Sequence, residues 1–344
     1  MSLEFRDDPE PLMTADGPFH GGDLGDVAGP DVAAEWLDLS TGINPAPYPV
    51  PALPDSAWTR LPGKNELDGL IKAAAACYGA PDPDCVVAGP GSQALIQALP
   101  SLFPPGRVAV LAPTYGEHVP AWNAAGHNVR EILALKEAGP DETVVLVNPN
   151  NPDGRCRQPS RLLADAKARG GAGGFTVVDE AFADAAPELS VAPHCADYPV
   201  TALRSFGKFF GLAGLRLGFA IAPHEIAEKL RARLGPWAVS GPAISIASRA
   251  LNDHGWQTST RLWLAEQMRE LLALLERNGI DVAGGTDLFV LAETARAPAL
   301  FDHLCGHCIY VRRFPEHPTW LRFGLPPDGA GFARLGAALA TFRD

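Results

Sequence analysis

Ser205-Phe206-Gly207-Lys208-Phe209-Phe210-Gly211-Leu212-Ala213-Gly214-Leu215-Arg216 follows one apolar run, Val200 to Leu203, and leads into another, Leu215 to Ile221. Apolar runs of this length, bounded by small residues, read as strands covered on both faces. The loop between them holds one lysine, a hydroxyl three residues before it and an arginine eight residues after it. A lysine set among Phe206, Phe209 and Phe210 is expected to lose solvent, which lowers its pKa and supplies the neutral amine that imine formation needs. Ser205 and Arg216 add a hydroxyl and a charged fork suited to a phosphate.

Working outward, the same strand-then-helix alternation continues. Strands are expected over 85–89, 108–111, 143–147, 175–178, 200–203 and 215–221, with helices over 92–103, 115–125 and 160–168. An alanine-rich helix over 67–78, closed by Gly79, precedes them. Beyond Pro223 the pattern shifts to helices over 225–234, 243–252 and 257–277. Short strands follow over 288–291, 309–314 and 320–325, and a last helix starts near Ala330. This predicts an α/β chain in four parts. Residues 1–45 form an arm that contributes to the small domain and the site, and 46–235 form a large three-layer α/β/α domain with a mainly parallel sheet. Linking helices cover 236–278, and a smaller α+β domain covers 279–344.

Composition narrows the classes. The chain has 344 residues, 47% of them hydrophobic, enough for a large domain and a smaller one. A formal net charge of −12 argues against nucleic acid, whose backbone calls for a basic surface. No run of about 18 apolar residues is present to span a bilayer, and the acidic, proline-punctuated start does not read as a signal or transit peptide, so a cytoplasmic location and no membrane partner are expected. The six cysteines, at 77, 85, 156, 195, 305 and 308, have no framework spacing and read as free thiols. His303-Leu304-Cys305-Gly306-His307-Cys308 lacks the second ligand pair a structural zinc site takes, so no metal is assigned.

Three further segments fall at predicted strand ends, where ligands of open α/β sheets bind. Gly89-Pro90-Gly91-Ser92-Gln93 opens a helix and offers free N–H groups to an anion, although glycine turns are common there. Asn148-Pro149-Asn150-Asn151-Pro152-Asp153-Gly154 offers amide donors, and also reads as an ordinary turn. Asp179-Glu180-Ala181-Phe182 offers a carboxylate that can pair with a protonated pyridine nitrogen, or simply cap a helix. One small molecule combines an aldehyde, a phosphate, a phenolate and a pyridine nitrogen: pyridoxal 5'-phosphate.

Taken together, these motifs resemble the fold-type I pyridoxal-phosphate enzymes. The branch is that of histidinol-phosphate aminotransferases and the threonine-phosphate decarboxylases of cobalamin biosynthesis. The resemblance implies that Lys208 bonds to the cofactor aldehyde and then shuttles protons, that Asp179 pairs with the pyridine nitrogen and that Asn151 reaches the phenolate oxygen. It implies that Tyr115, in Pro113-Thr114-Tyr115, stacks on the ring, and that Gly91, Ser92, Gln93, Ser205 and Arg216 hold its phosphate. His20-Gly21-Gly22, the Leu37 to Pro45 run with Asn44, the Trp58 to Pro62 run and the Pro113 to His118 run are similar to the decarboxylase members. Arg312 and Arg322 match positions that grip substrate anions, with Arg313 a neighbour to Arg312. Two departures stand out. Phe182 replaces a tyrosine that donates to the phenolate oxygen in many relatives, and Leu61 replaces a tyrosine that reaches the neighbouring subunit's cofactor. The resemblance implies a homodimer that decarboxylates L-threonine O-3-phosphate, with transamination of histidinol phosphate or an aromatic amino acid as the alternative. A non-catalytic binding module is the third reading.

Overall fold

A computed structural model describes residues 21–26 and 36–342. The predicted contact of His20 lies outside the described residues. β1 (Leu37–Leu39) comes first. The apolar runs then form β2 (Val86–Gly89), β3 (Arg107–Leu111), β4 (Asn128–Ile132), β5 (Thr143–Val147), β6 (Thr176–Asp179), β7 (Val200–Ser205) and β8 (Gly218–Ile221). These seven make one sheet in the order β2-β8-β7-β6-β5-β3-β4. Only β8 runs against its neighbours. The carboxyl ends of β2, β3, β5, β6 and β7 and the start of β8 therefore share one edge.

Alternate strand residues feed two cores, as the two-residue period of a strand requires. Val87, Val145, Val177 and Leu203 pack beneath helices Ser92–Ala98, His118–Ala124 and His224–Leu234. Ala88, Val144, Val178 and Ala202 pack on the opposite side beneath helices Lys64–Tyr78, Pro159–Gly170 and Gly241–Asn252. The long helix His254–Arg277, N-capped by Asp253, leads to β9 (Val282–Thr286), β10 (Phe289–Glu293), β11 (Ile309–Arg313) and β12 (Trp320–Gly324). The second sheet has the order β1-β11-β12-β10-β9, so residues 37–39 join strands from the far end of the chain.

Several boundaries moved for local reasons. The helix expected over 115–125 starts at His118, which leaves Tyr115 in the turn after β3. The strand expected from 215 starts at Gly218, because Ala213–Leu215 forms a helical turn and Arg216 adopts φ 52°. The two sheets meet where the loop after β5 crosses β9. At Gly154, with φ 69°, a Cβ would collide with the Gly285 carbonyl, and at Gly284 with the Asp153 carbonyl. Only glycine permits backbones to approach that closely.

A charged cluster is buried next to the strand ends. Arg204, 2% exposed, lies 3.2 Å from Glu180 and 3.5 Å from Asp184. Glu180 also accepts from Ser190 Oγ at 2.7 Å and the Val191 N–H at 2.6 Å. These bonds tie β6 to β7 one residue away from Asp179 and Ser205. Removing one partner of a buried pair strands the other charge, so Glu180→Ala is expected to lower the unfolding free energy by about 3–5 kcal/mol in urea titration.

Candidate active site

The shared strand edge opens into a cleft of about 700 Å³ that reaches from the Gly91 turn to Arg312 and Arg322 on the second sheet. Each predicted motif contributes one face, and its backbone explains why.

Lys208 sits on the short helix Phe206–Phe209 directly after β7. Phe206, Phe209 and Phe210 do not wrap the amine. They point into the core, where Phe206 stacks on Phe210 at 4.3 Å and Phe210 on Trp256 at 5.6 Å. Such burial contributes on the order of 1.5–3 kcal/mol per ring and pins the lysine loop to the sheet. Asn44 pins it from the other side. Its backbone N–H donates to the Lys208 carbonyl at 3.0 Å and its Nδ2 to the Phe209 carbonyl at 2.8 Å, while its Oδ1 accepts from Ala46 N–H. The substrate contact expected of Asn44 stays a proposal. Its amide is consumed in buried bonds to the lysine loop and does not line the cleft.

Burial, with Arg322 and Arg216 nearby, lowers the Lys208 pKa to about 8 against the opposing pull of Asp179. At pH 7 about a tenth of the amine is then neutral, against about one part in three thousand at an ordinary lysine.

Asp179, 3% exposed, is held at both oxygens, by the Ala181 N–H at 3.0 Å and by His118 Nε2 at 3.0 Å. His118 is itself buried. Its role escaped the sequence reading, although it lies in the Pro113 to His118 run. The turn that frees Tyr115 is what delivers His118 to the carboxylate from the first helical residue. Tyr115 donates to Gln93 Oε1 at 3.2 Å, and Gln93 Nε2 donates to Glu117 at 2.7 Å. The Gln93 side chain is therefore engaged, and its backbone N–H is the group left for an anion, as at other helix starts. Burial and Glu117 push the Tyr115 hydroxyl up to about 12, so it stays protonated.

The Asn-rich turn divides its labour. Asn148 bonds Arg157 and Leu189, and Asn150 bonds Thr114, Pro113 and Asp153. Of the three asparagines only Asn151 lines the cleft, and it accepts from Arg322 Nη1 at 2.5 Å through its Oδ1, which leaves its Nδ2 as the donor. Arg322 Nη2 donates to the Ser40 carbonyl at 2.8 Å. Arg312 and Arg322 are direct cross-strand partners, and both line the cleft. Arg313 points to the other face, over the Phe301 ring at 4.8 Å. Burial and Arg312 push the Arg322 guanidinium below its ordinary value. Gly21 lines the cleft, whereas Gly22 donates its N–H to Ser40 Oγ at 2.7 Å.

The donor set fits pyridoxal 5'-phosphate. A Cβ at Gly91, where φ is 87°, would come within 2.8 Å of Arg216 Nη2. Glycine there keeps a concave, cationic pocket beside Ser92 and Ser205, sized for an oxyanion. Lys208 presents an amine, Asp179 a buried carboxylate and Asn151 an amide donor in the same cleft. With the cofactor stripped from the full chain, the rate at which an aldehyde adds to Lys208 is expected to rise about tenfold per pH unit and to level off near pH 8. A rate still climbing at pH 10 contradicts the assigned environment.

The comparisons with known proteins agree with this geometry. Residues 38–330 match the family model for aminotransferase class I and II. The chain is 47% identical to a threonine-phosphate decarboxylase of Pseudomonas aeruginosa, covering 94% of this chain and 98% of that one. It is 46% identical to a threonine-phosphate decarboxylase of a Sinorhizobium species, covering 89% and 92%. In structure it is similar to the histidinol-phosphate aminotransferase of Sinorhizobium meliloti solved with pyridoxal-5'-phosphate, at a TM-score of 0.74 and 23% identity over 88% of this chain and 89% of that one. With its lysine, aspartate and asparagine gathered at one sheet edge, the chain belongs to the class I and II aminotransferase family.

Proposed function

We propose that the chain is a pyridoxal-phosphate-dependent decarboxylase that converts L-threonine O-3-phosphate to (R)-1-amino-2-propanol O-phosphate and carbon dioxide. One observation carries the choice of substrate. Arg312 and Arg322 stand opposite each other on adjacent antiparallel strands and line the cleft that holds Lys208. Like charges opposed on a sheet destabilise it. A substrate with a carboxylate and a phosphate monoester, the latter near −1.5 to −2 at about pH 7, neutralises both. The names of two relatives, 47% and 46% identical to this chain, support the same reaction.

When bound, pyridoxal phosphate supplies an aldehyde that links to the substrate amine and a ring that draws off the electron pair left at Cα. The chain's residues do the remainder. Ser92, Gln93, Ser205 and Arg216 hold the cofactor phosphate beside Gly91, Tyr115 covers the ring and Asn151 Nδ2 holds the phenolate oxygen. Asp179, oriented by His118, keeps a proton on the pyridine nitrogen. Arg312 and Arg322 would fix the two substrate anions and so orient the Cα–carboxylate bond for cleavage. Gly21 lines that side, and His20 is proposed as a substrate contact only on the motif that resembles those enzymes. Only a bond so oriented can leave its electrons behind, and fixing it is a positioning effect. Once carbon dioxide has left, the Lys208 ammonium would deliver a proton to Cα.

The pathway is proposed to be cobalamin biosynthesis and the compartment the cytoplasm, on the motifs that resemble those enzymes. Among the described residues no helix is long and apolar enough to cross a membrane. The arm 1–45, the large domain 46–235, the linking helices 236–278 and the small domain 279–344 are proposed as the units of the chain. A homodimer is proposed as well. Trp58, Leu61 and Trp237 expose 67%, 67% and 59% of their surface, and Ala57 and Gly241, close to these aromatics in sequence, pack together. Exposed apolar patches of this kind mark partner surfaces.

Incubation with L-threonine O-3-phosphate and no keto acid is expected to release one carbon dioxide per substrate. Conversion of the cofactor to its amine form without carbon dioxide would establish the aminotransferase reading instead. Arg322→Lys, which cannot keep both the Asn151 and Ser40 bonds, is expected to lower kcat/KM by about 100-fold. Sedimentation is expected to give the mass of two chains, and Trp58→Asp that of one.

A further inference from the structure

Phe182 is one of the two positions where the resemblance leads one to expect a tyrosine, and its surroundings assign it work of its own. The ring is 3% exposed and packs edge-to-face on Phe289, with centroids 4.9 Å apart. Gly42 closes over both rings. A Cβ there would come within 2.8 Å of Phe289 Cδ1 and 2.9 Å of Phe182 Cε1. The interlocked pair backs two cations. Lys208 Nζ lies over the Phe182 ring, 5.7 Å from its centroid, and the Arg322 guanidinium lies over Phe289 at 5.1 Å.

We propose that Phe182 is a positioning residue whose ring face holds the Lys208 amine as an ammonium ion, so that a proton is in place for delivery to Cα. The negative face of an aromatic ring attracts a cation within about 6 Å of its centroid, more strongly away from water. The charged groups that face Lys208 are divided. Asp179 favours the ammonium form, while Arg322 and Arg216 oppose it together with burial. Burial and the two arginines outweigh Asp179, so the attraction of the ring face works with Asp179 against a net pull towards the neutral amine. A tyrosine keeps this face, and a leucine keeps the bulk without it. The inference rests on Lys208 being the proton carrier in the proposed reaction.

The test uses the full-length chain stripped of cofactor. The rate of acylation of the Lys208 peptide is followed by mass spectrometry against pH, which reads the neutral amine directly. Phe182→Leu is expected to move the midpoint down by about half to one pH unit, and Phe182→Tyr to leave it within about 0.2 unit. In the cofactor-loaded enzymes, the alkaline limb of the kcat profile moves down by the same amount in Phe182→Leu only, with KM for L-threonine O-3-phosphate unchanged. Phe182→Met repeats the measurement should the leucine variant fail to fold. A midpoint that stays put on losing the ring, or that moves equally in Phe182→Tyr, overturns the proposal. Acylation shifts seen in a chain that releases no carbon dioxide would sink only the proposed reaction.

Discussion

A single guanidinium joins the two halves of this molecule. Arg322 rises from the second sheet, binds Asn151 at the end of β5 with one nitrogen and the Ser40 carbonyl beyond β1 with another, and is 7% exposed. Three distant stretches of chain meet on one side chain. Burial and Arg312 both act against its charge, so the arrangement gains most when an anion enters the cleft. The bond to Asn151 also links the second sheet to the turn after β5.

The two sides have different origins. The carboxyl edge of the seven-stranded sheet brings Gly91, Tyr115, Asn151, Asp179 and Lys208 together, and these are the groups proposed to face the cofactor. The groups proposed to face the substrate come from the five-stranded sheet and the segment before it. This division is what lets one cradle serve lyases and aminotransferases, since the chemistry follows from which bond the second sheet holds upright.

Much of the large sheet was legible because its strands are covered on both faces and so read as unbroken apolar runs. β4 was not legible, since it is an edge strand in which Ile132 is the only fully buried residue. Nor were β1, three residues long, and β9, glycine-rich and largely exposed. Lys208, Asp179 and Asn151 could be picked out because each follows a readable strand. The His118–Asp179 contact, the grip of Asn44 on the lysine loop and the place of Phe182 under the amine could not. Each depends on a turn or a sheet-to-sheet contact that no periodicity encodes. Arg312 and Arg313 were indistinguishable by type, and strand alternation separated them.

The central claim is that the second sheet holds the Cα–carboxylate bond across the ring. The most direct measurement is a crystal structure of the Lys208→Ala chain with pyridoxal phosphate and L-threonine O-3-phosphate bound. The account predicts a carboxylate perpendicular to the ring plane, with Arg312 and Arg322 each on one substrate anion. A carboxylate lying in the plane with the Cα–H bond upright, or anions that touch neither arginine, would contradict it.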